Sequence, residues 1–240
     1  MAYGSDANQF IDLRMPKARG AHPLAICIHG GFWRAKYDLE YLGHLCAVLK
    51  ARGIATANLE YRRVGNAGGG WPGTFEDIRT AHRFLLQNAQ RYGFDTRRVI
   101  VLGHSAGGQL ALCLAAHESG LATAVSLAGV VNLERAYELH LSNDAVVEFL
   151  GGKPAEVPEH YREADPMKLA IRTRQWLVHG TEDDIVPPAL SKNYVDAKVK
   201  SKEDAQLVAI AGAEHFDVVD PRSEAWAQVE KVLVDGVGKT

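Results

Sequence analysis

The amino-acid sequence predicts an α/β fold, a mostly parallel sheet covered by helices on both faces. Three observations lead there. Apolar, β-branched runs alternate with longer stretches of helical period, the pattern of βαβ units. The runs Leu24–Ile28 and Val99–Leu102 are continuously apolar, as strands are when helices bury both sides of a sheet. The small-residue turn Gly103-His104-Ser105-Ala106-Gly107 joins the second run to a segment rich in Leu and Ala.

Strands are expected at Phe10–Arg14, Leu24–His29, Ile54–Leu59, Val99–Gly103, Ala122–Leu127, Gln175–His179 and Gln206–Ile210. Helices are expected over Tyr37–Arg52, Phe75–Tyr92, Ser105–His117, Pro188–Lys200 and Ser223–Val234. Gly53 and Gly93 follow the first two as C-terminal stops. Pro187-Pro188 opens the fourth, where a missing N–H costs nothing. The stretch from Gly65 to Gly73, with Trp71-Pro72, reads as a loop. Residues 132–166 hold two short helical patterns, Glu134–Leu139 and Asp144–Leu150, then Gly151-Gly152 and three prolines. They form a small insertion, either a lid over a pocket or a plain surface excursion. No repeat and no second domain is evident, so residues 1–240 read as one domain.

Composition narrows the function. Apolar residues make up 47% and charged residues 23%, with a net charge of −2, which gives no footprint for nucleic acid. The three cysteines, Cys27, Cys46 and Cys113, sit in apolar neighbourhoods and read as small buried hydrophobes. Met1 to Gln9 is polar, without a signal-peptide core, and no apolar run is long enough for a bilayer, so a cytoplasmic protein is expected. Monomer and homodimer both stay open.

Gly103 to Gly107 matches G-x-S-x-G in the strand–turn–helix setting that a nucleophile elbow requires, which makes Ser105 the candidate nucleophile. The triad partners of such a serine arrive in the order acid, then histidine. Of ten histidines only His215 lies beyond the loop that follows Trp176-Leu177-Val178, so it is the candidate base. The preceding loop, His179 to Pro187, offers Glu182, Asp183 and Asp184 as the acid. Asp183 is favoured by its spacing, three residues past Gly180 and three before Val186; Asp184 is left to cap the next helix or face solvent. A serine hydroxyl needs a neutral imidazole to take its proton, and the carboxylate fixes the tautomer that can do so.

His29-Gly30-Gly31-Phe32-Trp33 follows the strand Leu24–Ile28 directly, so Gly31, Phe32 and Ala106 are the expected oxyanion donors. Phe32, Trp33, Trp71 and His104 are the candidate substrate-binding residues, with burial of Trp33 in the core as the alternative for that side chain, and local packing or hydrogen bonding for His104. His29 is expected to hold its loop by hydrogen bonding, and Arg62 with Asp77 to form a structural ion pair. His29, His44 and His179 lack metal-ligand spacing, so no metal site is expected.

The segments His29 to Trp33, Glu60-Tyr61-Arg62, Gly103 to Gly107, His179 to Pro187 and His215-Phe216-Asp217 resemble the H-G-G-x-W branch of the α/β-hydrolases, which holds kynurenine formamidase-like enzymes and carboxylesterases. The likeness runs from about Gln9 to the C-terminus. It implies an α/β-hydrolase fold with an eight-stranded sheet, the insertion after strand 6, and neither metal nor organic cofactor. The expected activity is hydrolysis of small carboxylic esters through an acyl-enzyme. An arylformamidase cleaving an N-formyl amide is the alternative, and a non-catalytic ligand-binding protein of the same fold a remote one.

Overall fold

The computed structural model describes residues 1–238; Lys239 and Thr240, the last two of the expected domain, lie outside the described residues. Seven strands form one sheet: β1 Phe10–Arg14, β2 His22–Ile28, β3 Ala55–Glu60, β4 Phe94–His104, β5 Thr123–Leu127, β6 Arg174–Gly180 and β7 Ala205–Ile210. Their order across the sheet is β1-β3-β2-β4-β5-β6-β7. Only β1 runs antiparallel, pairing Phe10 with Glu60 through Arg14 with Thr56. Each other pair is parallel.

The eight-stranded expectation is corrected to seven among the described residues. The chain ahead of β1 makes only a single bridge, Ala2 with Phe10. A turn prevents more: the Gln9 N–H bonds the Asp6 carbonyl, and the Asn8 N–H bonds the Asp6 side chain. In the seven-strand count the insertion leaves the sheet after β5.

Nine helices are described, α1 Gly43–Ala51, α2 Gly73–Gln87, α3 Ala89–Tyr92, α4 Ala106–His117, α5 Leu133–Glu138, α6 Ala145–Leu150, α7 Pro158–Ala164, α8 Ala189–Lys200 and α9 Trp226–Gly236. Alternate strand residues divide them into two layers. Leu24, Ile26 and Ile28 of β2 pack with Phe75, Ile78, Leu110, Leu114 and Tyr194, from α2, α4 and α8. Ala25 and Cys27 pack with Leu45, Cys46, Leu49, Trp226, Val229 and Leu233, from α1 and α9. All three cysteines are free and buried.

Several boundaries depart from the sequence reading for local reasons. The first helix begins after residue 42 because Leu39 is tied to β3: its N–H bonds Glu60 Oε2, and its carbonyl accepts from Asn58 Nδ2. The second breaks at Asn88, whose side-chain amide caps the Phe84 carbonyl at 2.8 Å. Helix α7 lies where prolines suggested irregular chain; Pro158 occupies its first turn, where no N–H is needed. Gly53 and Gly93 do follow their helices in the left-handed region, with φ +83° and +75°.

The loops from the carboxyl ends of β2, β4, β6 and β7 gather at one end of the sheet, where ligands bind in open α/β folds. Close backbone packing brings them together. A Cβ added to Gly103 would stand 1.9 Å from the Gly107 carbonyl oxygen, and one added to Gly107 would stand 2.2 Å from that of Ile28. Gly103→Ala is therefore expected to lower unfolding free energy by roughly 1–3 kcal/mol, the range for overpacking, as read by urea denaturation. An unchanged midpoint would contradict this packing.

Candidate active site

Ser105 sits between β4 and α4 with φ +55° and ψ −122°, far from the conformations a serine prefers. Its N–H is held by the Leu127 carbonyl at 2.9 Å, and its own carbonyl accepts from Gly108 and Val130. These bonds fix the sharp turn, which lifts the side chain onto the wall of a cavity of about 340 Å³. That cavity is lined by Gly31, Phe32, Tyr37, Tyr41, His104, Ser105, Ile185, His215 and Phe216. It holds no lysine, arginine or carboxylate, so its walls are aromatic and aliphatic around the Ser105 hydroxyl and two imidazoles.

His215, in the loop after the edge strand β7, reaches this wall across β5 and β6. Its Nδ1 lies 2.7 Å from Asp183 Oδ2. Asp183 stands in the loop after β6 with its side chain wholly buried. Burial pushes its carboxyl pKa up, but hydrogen bonds from His179, His215 and the Val186 N–H outweigh this and hold it well below the usual carboxylate range. The neighbouring Asp184 is exposed and does not cap α8, whose start carries no side-chain cap. Glu182 is exposed as well.

Sequence reasoning missed the partner on the other side of this carboxylate. His179 Nε2 lies 3.0 Å from Asp183 Oδ2 and 2.9 Å from the Val186 carbonyl, while its Nδ1 lies 2.7 Å from Ser191 Oγ. Both groups facing Nε2 are acceptors, so Nε2 carries the proton and Nδ1 accepts from Ser191. The i, i+4 spacing of His179 and Asp183 was visible, but not that the strand's end would turn the ring inward.

The loop after β2 is strained: Gly31, Phe32 and Trp33 all have positive φ, at +101°, +49° and +57°. For the two aromatic residues this costs of order 1–3 kcal/mol each. Trp33 is fully buried, which corrects its candidate place in the substrate pocket. Its indole Nε1 donates to Gln109 Oε1 at 2.9 Å and its ring stacks on Phe149, centroids 4.5 Å apart and planes 6° from parallel. Trp71 is corrected likewise: it stacks on Phe75 at 5.3 Å and its N–H bonds the Phe149 carbonyl, away from the cavity. Phe32 and His104 do line the cavity, and Gly31 with them. Ala106 is the first residue of α4, so its N–H belongs to the helix start that lacks an intrahelical partner.

Residues 132–166 contribute nothing to the cavity wall. They pack behind the β2 loop instead. Arg34 makes a two-pronged pair with Glu148, at 2.8 and 3.0 Å, and donates to the side chain and carbonyl of Ser142. His29 does hold its loop, between Glu60 Oε1 and the Gly30 carbonyl, stacked on Tyr61. Arg62 pairs with the buried Asp77 at 2.6 Å beneath the site. No group of three or more His, Cys, Asp or Glu placed to hold a metal ion is found among the described residues.

Two groups at the site respond to acid. Burial, then the adjacent His215, push the His104 pKa down to about 3 from an ordinary 6.5. The folded state keeps His104 neutral while the unfolded chain takes up a proton below pH about 6.5, so stability falls as pH drops from there toward 3. Asp183 acts further down. Its stabilisation is complete above the ordinary carboxylate range, pH about 4, and is lost as pH falls below that. The His104 contribution, read by urea titration as the difference between wild type and His104→Gln, should fall between pH 6.5 and 4 with a slope approaching about 1.4 kcal/mol per unit, while the buried Asp165, pushed up to about 6, works in the opposite direction below that pH. His104→Gln should flatten that segment; an equal slope in both proteins would sink the assignment.

Comparison with known proteins agrees with this architecture. A truncated carbohydrate esterase from gut microbiota superposes with a TM-score of 0.84 at 20% identity, over 100% of this chain and 95% of that one. Esterase B from Lactobacillus rhamnosis superposes with a TM-score of 0.84 at 19% identity, over 99% of this chain and 83% of that one. At those identities the likeness establishes the fold, the α/β-hydrolase fold. In sequence, a probable isoprenylcysteine α-carbonyl methylesterase of Oryza sativa subsp. japonica is 27% identical over 91% of this chain and 56% of its own length. Esterase LipC of Mycobacterium tuberculosis is 25% identical over 91% of this chain and 59% of its own. The chain thus spans little more than half the length of these relatives. No described helix is long and apolar enough to cross a membrane. The family model described as BD-FAE matches residues 11–197, more than half of the sequence, and the chain belongs to that family.

Proposed function

We propose that the protein is a serine esterase that hydrolyses small, uncharged carboxylic esters through an acyl-enzyme. One observation carries the reading: a serine held in a strained strand–helix turn shares a small apolar cavity with a histidine whose other face is bound to a buried carboxylate. Relatives named as esterases, of plant and mycobacterial origin, support the reaction class.

In this mechanism Asp183 accepts a hydrogen bond from His215 Nδ1–H, which holds the tautomer whose Nε2 is unprotonated and available. Ser105 Oγ attacks the ester carbonyl carbon while its proton passes to His215 Nε2. The carbonyl oxygen becomes an oxyanion, met by backbone N–H groups of the β2 loop, Gly31 and Phe32, and by that of Ala106; one such donor is typically worth about 3 kcal/mol. Collapse breaks the C–O bond to the alcohol, which leaves with the proton from His215. Water then repeats the steps on the acyl-enzyme and returns the free acid and Ser105. The cavity lacks a cation to neutralise an anionic substrate, and its volume favours a short acyl group beside Phe32, Tyr37, Ile185 and Phe216.

Activity on p-nitrophenyl acetate and on N-formylkynurenine, for wild type and Ser105→Ala, tests both the mechanism and the bond cleaved. Turnover of the ester should exceed that of the formamide, and Ser105→Ala should lower it by about a million-fold. A large preference for N-formylkynurenine would replace the ester reading with the arylformamidase one. Failure of wild type to turn over either compound or to form a fluorophosphonate adduct would leave a ligand-binding protein.

A further inference from the structure

Tyr41 and His104 stand at the back of the cavity, outside the line from Ser105 to Asp183. His104 Nε2 lies 3.0 Å from the backbone carbonyl of His215, and His104 Nδ1 lies 3.0 Å from the Tyr41 hydroxyl. The same hydroxyl accepts the N–H of Gly30 at 2.5 Å. Donor and acceptor roles follow from these partners alone. A carbonyl only accepts, so His104 Nε2 carries the ring proton. In a neutral imidazole Nδ1 then accepts, so Tyr41 donates its O–H to it and receives Gly30 on a lone pair. The chain therefore runs in one direction, from the Gly30 N–H through Tyr41 and His104 to the His215 carbonyl.

Its members span three loops that are distant in sequence: the one after β2, the turn that carries Ser105, and the one after β7. His104 is buried, with its ring 4.6 Å from that of His215 and 5.4 Å from that of Phe216. The titratable groups around it are Tyr41 and His215, with Asp183 and His179 farther off. Burial keeps the ring neutral at working pH, with a pKa near 3, so the direction of the chain does not reverse. Tyr41 is itself buried enough that its hydroxyl pKa is pushed well up, and it keeps its proton to donate.

We propose that Tyr41 and His104 are positioning residues that fasten the loop bearing His215 to the loop bearing the oxyanion donors, through one directed hydrogen-bond chain. The inference rests on the esterase reading for its kinetic consequence, but not for the loop tether itself. The base and the oxyanion donors come from opposite sides of the nucleophile, at the ends of β7 and β2. Their mutual distance must hold while charge builds on both, and a misplacement of about 1 Å can cost on the order of a hundredfold in rate.

Tyr41→Phe removes one oxygen and keeps the ring, so it separates the tether from packing. The variant should fold, by circular dichroism, and its kcat on p-nitrophenyl acetate should fall about tenfold or more with KM within about twofold of wild type. His104→Gln keeps a donor and an acceptor on one side chain and should retain more kcat than His104→Leu. Amide hydrogen exchange, read by mass spectrometry, should speed up over residues 214–217 in Tyr41→Phe. A kcat within twofold of wild type in Tyr41→Phe, or His104→Gln no better than His104→Leu, would overturn the proposal. If Ser105→Ala kept full activity the esterase reading would fail by itself. Exchange alone would then decide: unchanged protection over 214–217 in Tyr41→Phe rejects the tether, and faster exchange upholds it.

Discussion

A carboxylate with no exposed surface has to be matched by donors, and Asp183 is matched completely. Its Oδ1 takes the N–H groups of Ile185 and Val186, while its Oδ2 takes the imidazoles of His215 and His179. Leaving one of these unmade would cost about 1–3 kcal/mol, and more where the lost partner is an imidazole beside the charge. His215 ties the loop after β6 to the loop after β7, and His179 extends the network to α8 through Ser191. Half of the sheet and half of the site are thus ordered together. The orientation of His215 is one consequence of satisfying that charge.

The other half of the site is governed by steric closeness. Gly107 and Gly30 let the end of β2 approach the turn that carries Ser105 until no Cβ would fit between them, and Gly103 lets that turn close on β4. Within that space the β2 loop adopts three successive positive φ values, and the strain is absorbed by what the loop's side chains reach. Trp33 fills the core against Phe149 and Gln109, and Arg34 grips Glu148 and Ser142. The Gln109 amide in turn donates to the Ala164 carbonyl at 2.8 Å. The insertion therefore braces the strained loop from behind.

Local signals carried much of this into the sequence. The strand–turn–helix setting around Ser105 and the glycines after the first two helices depend on neighbours within a few residues, and the acid and histidine follow in the chain order that such a serine calls for. Ser105 and His215 meet at one cavity, and Asp183, unlike Asp184, turns inward. What could not be read depends on long-range geometry. Aromatic residues near a glycine loop suit a pocket, yet Trp33 is drawn into the core by Phe149 and Gln109, and Trp71 is held by Phe75 and the Phe149 carbonyl. Tyr41 acts across 63 residues of chain onto His104, and His179 shares the Asp183 carboxylate with His215, with no motif to mark either. Helix α7 was hidden by Pro158, which is equally at home in a loop and in a first helical turn.

The bracing of the β2 loop also sets what an engineer can alter. Tyr37 and Ile185 border the cavity and keep much of their area in solvent, so trimming them reshapes the entrance without touching the rings packed on His104 and His215. Trp33, though adjacent in sequence to Phe32, is no such handle. Shortening it would open a void under residues 132–166 and loosen the oxyanion loop at the same stroke. Libraries meant to broaden substrate range are better built on the rim, with the insertion and its tryptophan carried through as one inherited block.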